Sequence, residues 1–156
     1  NKKFLSYHDF AKAGITDLLS EEKLEKAEKK QVFTLETTYF ENQGNLAFKA
    51  TALPQMAQIS SVKSIITEDF NADGLLDILL LGNDSEISTQ LGRLDASHGV
   101  FLLNTGSGFN YTGNHTIDIR GAVRSNSKLK IKDDLFYIIG RNNDKPLFIR
   151  KETAHD

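Results

Sequence analysis

The spacing of apolar and polar residues changes once along the chain, near residue 31. Before this point apolar residues recur at helical spacing, at Phe4, Tyr7, Ala11, Ile15 and Leu18. This spacing predicts a helix over residues 4–19. Ser20 followed by two glutamates predicts a second helix over residues 21–30, because carboxylates suit the positive end of a helix dipole. We therefore predict a helical segment over residues 1–31, as an insertion or a cap.

From residue 32 onward the pattern is typical of short strands separated by turns rich in Asn, Asp and Gly. The predicted strands cover residues 32–41, 46–53, 62–68, 76–82, 99–103, 109–112, 122–131, 135–140 and 147–151. The run at 76–82 is almost continuously apolar, which predicts a central strand covered on both faces. Residues 32–156 are therefore expected to form one mainly β domain.

The strands also repeat. Residues 39–44 and 102–106 share an apolar pair followed by Asn-x-Gly, and Asn42 and Asn104 are 62 residues apart. A fixed long period of short strands is typical of a β-propeller. We expect a partial β-propeller in which one complete four-stranded blade is flanked by two partial blades, the first with two strands and the last with three.

Composition and charge exclude several function classes. The chain has 156 residues, of which 39% are hydrophobic, enough for a domain with a core. A net charge of −2 does not suggest nucleic acid as a partner. No apolar run is long enough to span a membrane, so no transmembrane segment is expected in this chain. The absence of cysteine excludes disulfides, zinc–thiolate sites and cysteine nucleophiles.

The strongest chemical signal is the segment 69–77. Side chains that carry oxygen occupy its positions 1, 3, 5 and 9, at Asp69, Asn71, Asp73 and Asp77. Calcium prefers six to eight oxygen ligands, and alternate residues of a tight loop can face one ion. Gly74 permits the sharp turn, and the carbonyl of Leu75 would supply a ligand at position 7. Three carboxylates in nine residues repel one another unless a cation neutralises them. We therefore predict a Ca²⁺ site.

Two alternatives apply to this segment. An EF-hand requires a glutamate at position 12, where this chain has Leu80, and the flanking residues indicate strands rather than helices. A polar turn without metal also fits the composition, because Asp, Asn and Gly dominate ordinary turns. Such a turn does not require the alternating phase of the oxygen donors, which favours the cation site.

The pattern Asp-x-Asn-x-Asp-Gly-x-x-Asp before an apolar strand resembles the FG-GAP and VCBS repeats of integrin-α-like β-propellers. Residues 75–83, 92–99 and 102–106 are similar to the C-terminal propeller region of large exported VCBS repeat proteins of the Bacteroidetes. The resemblance implies calcium at the four side chains of 69–77, a bacterial origin, and an extracytoplasmic location, exported or at the cell surface. The turn before Leu135 lacks the donor set, so no second metal site is expected.

The long polar connection 83–97 is the other candidate for function, because long loops on a rigid scaffold often carry it. Arg93, Asp95 and His98 cluster there. They could form a ligand-binding or catalytic group with His98 as base. Alternatively, Arg93 and Asp95 form a buried pair that holds the loop, with His98 at the start of a strand. The second interpretation is favoured, because paired charges often hold irregular backbone.

These observations lead to an expected function. The chain is expected to be a calcium-stabilised, non-enzymatic scaffold or recognition module for glycan or protein ligands. Its expected partners are the remaining blades of a longer parent chain. The alternative is part of a propeller enzyme acting on polysaccharide, with Arg93, Asp95 and His98 as its site.

Overall fold

The computed structural model describes residues 4–88, 90, 92–113 and 117–151. The chain divides into two units, residues 1–35 and 36–156. Across the described residues, nine strands form three antiparallel sheets, and the helices are few and short. The prediction of a mainly β chain is confirmed.

The first unit contains three short helices: α1 (Tyr7–Lys12), α2 (Ile15–Leu18) and α3 (Glu21–Glu25). The prediction of one helix over 4–19 is wrong, because Ala13 (φ −72°, ψ 132°) and Gly14 (φ −83°, ψ 172°) have extended backbone. The second helix ends at Glu25, before its predicted end at residue 30. None of the helical residues is buried. Isolated short helices gain little from propensity alone, which explains why these helices do not continue.

The second unit contains all nine described strands, and their bounds follow in chain order. They are β1 (Thr38–Gly44), β2 (Ala47–Ala52), β3 (Val62–Glu68), β4 (Asp77–Gly82), β5 (Val100–Asn104), β6 (Phe109–Asn110), β7 (Val123–Ile131), β8 (Asp134–Arg141) and β9 (Leu147–Lys151). We call β1–β2 the hairpin sheet, β3–β6 the central sheet and β7–β9 the C-terminal sheet. Within each sheet, strands that follow one another in sequence are neighbours in space.

The strand predicted over 32–41 begins late, at Thr38. The side chain of Gln58 explains this start. Its Oε1 accepts from the backbone N–H of Thr37 at 2.7 Å, and its Nε2 donates to the carbonyls of Thr37 at 3.1 Å and Leu53 at 2.9 Å. The Gln58 amide therefore replaces a direct bond from Thr37 N to the Leu53 carbonyl, whereas Leu53 N still donates to the Thr37 carbonyl at 3.0 Å.

The apolar strand β4 lies inside the central sheet and is covered on both faces, as predicted. Leu79 and Leu81 belong to the larger core, which also contains buried side chains of the C-terminal sheet. Leu80 faces the other way and packs in a second core with Val100 and Leu102. Successive side chains of a strand point to opposite faces of the sheet, so consecutive leucines of β4 pack in different cores.

Polar contacts also join the central and C-terminal sheets. The Nδ2 of Asn126 on β7 donates to Ser64 Oγ at 2.6 Å and to the carbonyl of Ile65 at 2.9 Å, both on β3. Ser64 and Asn126 are 62 residues apart, the separation that also relates the two Asn-x-Gly turns. The first strands of the two sheets therefore lie side by side at the spacing of the sequence repeat.

Candidate cation loop and its surroundings

The loop 69–77 connects β3 to β4, and its own side chains hold its turn. Asp69 accepts from the backbone N–H of Asp73 at 3.2 Å and from that of Gly74 at 2.9 Å. Asn71 Oδ1 accepts from Asp73 N at 3.1 Å, and Asp73 Oδ1 accepts from Leu75 N at 2.8 Å. Gly74 has φ +87°, a left-handed conformation that glycine adopts without steric penalty. Three of the predicted donors therefore surround one short stretch of backbone.

Asp77 has a second role, because its carboxylate fastens the loop to the neighbouring strand. Its side chain is fully buried, at 0% exposure. Oδ2 accepts from Phe70 N at 3.1 Å, and Oδ1 accepts from Asn104 N, at the end of β5, at 2.9 Å. The Nδ2 of Asn104 returns a bond to the carbonyl of Leu76 at 3.0 Å. Asp77 is thus a structural clamp as well as a candidate ligand.

The carboxylates of the loop have no positively charged side chain paired with them among the described residues. Among the described residues, no ion pair involves Asp69, Asp73 or Asp77. The side chain of Lys151 comes near, but its Nζ donates to the backbone carbonyl of Asp69 at 2.8 Å. Three carboxylates without a cationic partner, one of them buried, are a set that a bound divalent ion would neutralise.

The acidic side chains of the loop do not converge on a single point. Within the described part of the chain, no three acidic or imidazole side chains are gathered at metal-binding distance. The carboxylate oxygens of Asp69 and Asp73 bond the loop's own N–H groups instead. A carboxylate oxygen has two lone pairs, so it can keep such a bond and still coordinate an ion. The donor chemistry fits calcium, and calcium binding stays a prediction.

Glu68, directly before the loop, has a role that the sequence pattern does not indicate. Its Oε2 accepts from Lys128 Nζ at 2.6 Å and from the Tyr137 hydroxyl at 2.7 Å, and Lys151 Nζ lies 3.6 Å from Oε1. The hydrogen bonds from Lys128 and then Tyr137 lower the pKa of Glu68. Burial, and then the hydrogen bond to the carboxylate, raise the pKa of Tyr137. Glu68 ties the start of the loop to all three strands of the C-terminal sheet. These partners lie 60 or more residues away, where no local pattern could indicate them.

Among the described residues, no hydrogen bond or ion pair joins the three candidate residues of the long connection to one another. Arg93, Asp95 and His98 are exposed, and among the described residues no ion pair joins Arg93 to Asp95. The prediction of a buried Arg93–Asp95 pair is therefore wrong. His98 Nδ1 lies 3.1 Å from Asp118 Oδ1, and Asp118 also accepts from Arg120 Nε at 2.9 and 3.1 Å. The partner of His98 comes from a later segment of the chain.

Asn83 holds the long connection in place of the predicted charge pair. Asn83 is 3% exposed, and its Nδ2 donates to the Ser97 carbonyl at 2.7 Å. Its Oδ1 accepts from Ser97 N at 3.0 Å and from Ser60 Oγ at 2.8 Å. One amide thus mimics a strand partner for Ser97 and closes the connection at its base. An Asn directly after an apolar strand is the sequence signal that could have indicated this role.

Asp84 adds a second closure. Its backbone exchanges two hydrogen bonds with that of Leu94, at 2.7 and 2.9 Å. Its Oδ1 lies 3.3 Å from Arg124 Nη2, and Arg124 Nη1 donates to the Asn83 carbonyl at 3.1 Å. Arg124 lies on β7, so the base of the connection is also fastened to the C-terminal sheet.

No protein-family model, curated protein or solved structure matches this chain. Within the described residues, no helix has both the length and the apolar character needed to cross a bilayer. Functional inference therefore depends on the residues themselves.

Proposed function

We propose that this chain is a segment of a calcium-stabilised β-propeller of the FG-GAP or VCBS type. It acts outside the cytoplasm as a non-enzymatic scaffold or recognition module. The observation that carries the proposal is the position of the oxygen-donor pattern 69–77. It forms the first turn of a four-stranded antiparallel sheet, and its carboxylates have no cationic partner among the described residues.

The grouping of the strands supports the propeller. The described strands form sheets of two, four and three strands, each connected in sequence order. Propellers arrange four-stranded blades in a ring, so a complete blade between two partial ones would give this grouping. Phe40 and Phe48 of the hairpin sheet and Phe148 of the C-terminal sheet are 57%, 60% and 64% exposed. These apolar side chains lie on the two flanking sheets, against which the remaining blades of a longer parent chain would pack.

The residues of the loop have separate roles in this proposal. Asp69, Asn71 and Asp73 supply side-chain oxygens, Leu75 supplies its carbonyl, and Asp77 supplies a buried carboxylate. Calcium is favoured over magnesium because it accepts a variable number of ligands, whereas magnesium demands near-ideal octahedral geometry. The enzymatic alternative has less support, because no hydrogen bond or ion pair among the described residues joins Arg93, Asp95 and His98 to one another.

Calorimetric titration with CaCl₂ and MgCl₂ tests the proposal. Asp73→Asn keeps an oxygen that can accept from Leu75 N, but it removes the charge and the oxygen that accepts from Asn71 Nδ2 at 2.9 Å. Asp73→Ala removes both oxygens. We expect Asp73→Asn to weaken calcium binding by about tenfold or more, because ligand charge sets affinity in such loops. Asp133→Asn is the matched control, since Asp133 is an exposed aspartate in the β7–β8 turn. Absence of calcium uptake by the wild type at millimolar concentration would refute the site, as would equal losses in Asp73→Asn and Asp133→Asn.

A further inference from the structure

A cleft of about 720 Å³ lies between the hairpin sheet and the turn that connects β5 to β6. Strand register explains its first wall. Tyr39 pairs with Thr51, and Glu41 pairs with Lys49, so these four side chains share one face of the hairpin. The second wall is the segment 104–110. This volume lies within the range of small-ligand sites, about 300–1,000 Å³.

Two aromatic side chains line the cleft. The rings of Tyr39 and Phe109 lie 5.2 Å apart at 74°, an edge-to-face pair. In such a pair, the ring that contributes its edge keeps both of its faces clear of its partner. An apolar ring face at the border of a polar cleft offers a stacking surface, and the tyrosine also has a hydroxyl that can bond a ligand.

The polar side chains of the cleft carry no net charge, and Ala52, Leu53, Pro54 and Leu75 add apolar surface to its lining. Lys49 Nζ lies 4.0 Å from Glu41 Oε2, so the one positive charge and the one negative charge of the lining balance each other. Hydroxyl and amide side chains form the rest of the polar lining, at Thr51, Asn104, Thr105, Ser107 and Asn110. These groups both donate and accept hydrogen bonds.

We propose that this cleft binds a neutral oligosaccharide. A sugar ring has an apolar C–H face that suits an aromatic ring, and a border of hydroxyls that suits Thr, Ser and Asn side chains. The absence of net charge in the lining disfavours phosphorylated or strongly acidic ligands. The inference rests on the recognition role proposed above and assigns to it a site and a ligand class.

The cleft shares a wall with the candidate cation loop. Leu75 and Asn104 both line the cleft, and Asn104 is bonded through its backbone N–H to Asp77. An ion that orders the loop would therefore also order part of the ligand site.

Titration of the full chain, labelled with ¹⁵N and followed by NMR, tests the proposal. The probes are cellohexaose, xylohexaose and mannohexaose at millimolar concentration in the presence of CaCl₂. We expect at least one of them to give saturable shifts at the amides of Thr51, Asn104 and Asn110. Tyr39→Ala should weaken that binding by about tenfold or more, because truncating an aromatic contact residue removes much of the binding energy.

Phe40→Ala is the matched control. Phe40 is the next residue of β1 and an exposed aromatic residue, but it lies on the opposite face of the hairpin. The Phe40→Ala variant should bind the saccharide with the affinity of the wild type. Thr51→Val removes one hydroxyl with little change in shape and should weaken binding several-fold, which keeps the proposal testable if Tyr39→Ala does not fold.

The outcomes separate the cleft from the calcium proposal. If the chain takes up calcium but none of the three saccharides changes its amide chemical shifts, the saccharide site is refuted and the calcium site is not. Shifts that map away from the cleft, or equal affinity in Tyr39→Ala and Phe40→Ala, would also refute the saccharide site. Saccharide shifts within the cleft in a chain that takes up no calcium would overturn the calcium site and support the cleft.

Discussion

Replacing Asn83 by alanine should destabilise the second unit more than any ordinary loop substitution. Asn83 is buried and satisfies both the N–H and the carbonyl of Ser97, a residue that is itself only 6% exposed. Asn83 also has φ +79°, a left-handed conformation that asparagine tolerates better than alanine. The substitution therefore removes hydrogen bonds and introduces backbone strain at the same position.

The magnitude follows from these two effects. Each buried polar group left without a partner costs about 1–3 kcal/mol, and Ser97 has two such groups. A left-handed alanine adds about 1–2 kcal/mol. Local relaxation and water entry recover part of this loss, so we expect Asn83→Ala to lower the free energy of unfolding by about 3–5 kcal/mol. That is a large fraction of the stability of a typical domain, about 5–15 kcal/mol.

Urea unfolding of purified variants measures this loss. Because the chain has no tryptophan, unfolding is followed by circular dichroism and by tyrosine fluorescence. Asn143→Ala is the matched control, since Asn143 is an exposed turn residue with φ +54°. The Asn143→Ala variant should lose only the backbone-strain part of the free energy of unfolding, about 1 kcal/mol. Asn83→Gly removes the strain and keeps the loss of hydrogen bonds, so it should lie between the two. Equal losses in Asn83→Ala and Asn143→Ala, at unchanged m-values, would refute the reasoning.

Three further predictions concern other parts of the second unit. Gly82→Ala should destabilise by more than about 4 kcal/mol or prevent folding, because a Cβ there would lie 1.7 Å from the Ser61 carbonyl oxygen. Gly108→Ala, with no atom within 4 Å of its Cβ, should change stability by less than about 1 kcal/mol in the same urea assay. Glu68→Gln should destabilise by about 1 kcal/mol at neutral pH. Because the folded pKa of Glu68 is lowered, its contribution exists above the ordinary value of 4.5 and is lost as pH falls below it. The stability gap between wild type and Glu68→Gln should therefore narrow in acid, and a constant gap from pH 7 to pH 3 would contradict the ion-pair account. Calcium at a hundredfold excess over its dissociation constant should stabilise the chain by about 2.7 kcal/mol, an effect that EDTA reverses. An unchanged melting temperature on chelation would argue against a structural role for the ion.

Local sequence patterns predicted much of the β structure. The predicted bounds of β3 and β9 agree with the structure, because polar and turn-forming residues precede and follow each strand. The coverage of β4 on both faces followed from its run of leucines. The helix over 4–19 was wrong because helical spacing does not reveal that Ala13 and Gly14 adopt extended backbone.

The surroundings of the candidate sites were harder to predict, because the contacts that form them are long-range. The sequence placed Arg93, Asp95 and His98 in one connection, but the partner of His98 is Asp118. The partners of Glu68 lie on three later strands, and nothing in residues 62–68 indicates which face of β3 meets them. Spacing along the chain located the oxygen donors, whereas their environment required the tertiary fold.

The two polar clamps at the ends of β4 have a consequence for strand register. A two-residue turn fixes the register of a hairpin, but β4 and β5 are joined by the much longer connection 83–99. Asp77 bonds Asn104 N at one end of the pair, and Asn83 bonds Ser97 at the other. A slip of one residue would move Leu80 into the core of Leu79 and Leu81, and it would break both clamps together. The two side-chain clamps therefore specify an alignment that the connection itself leaves open.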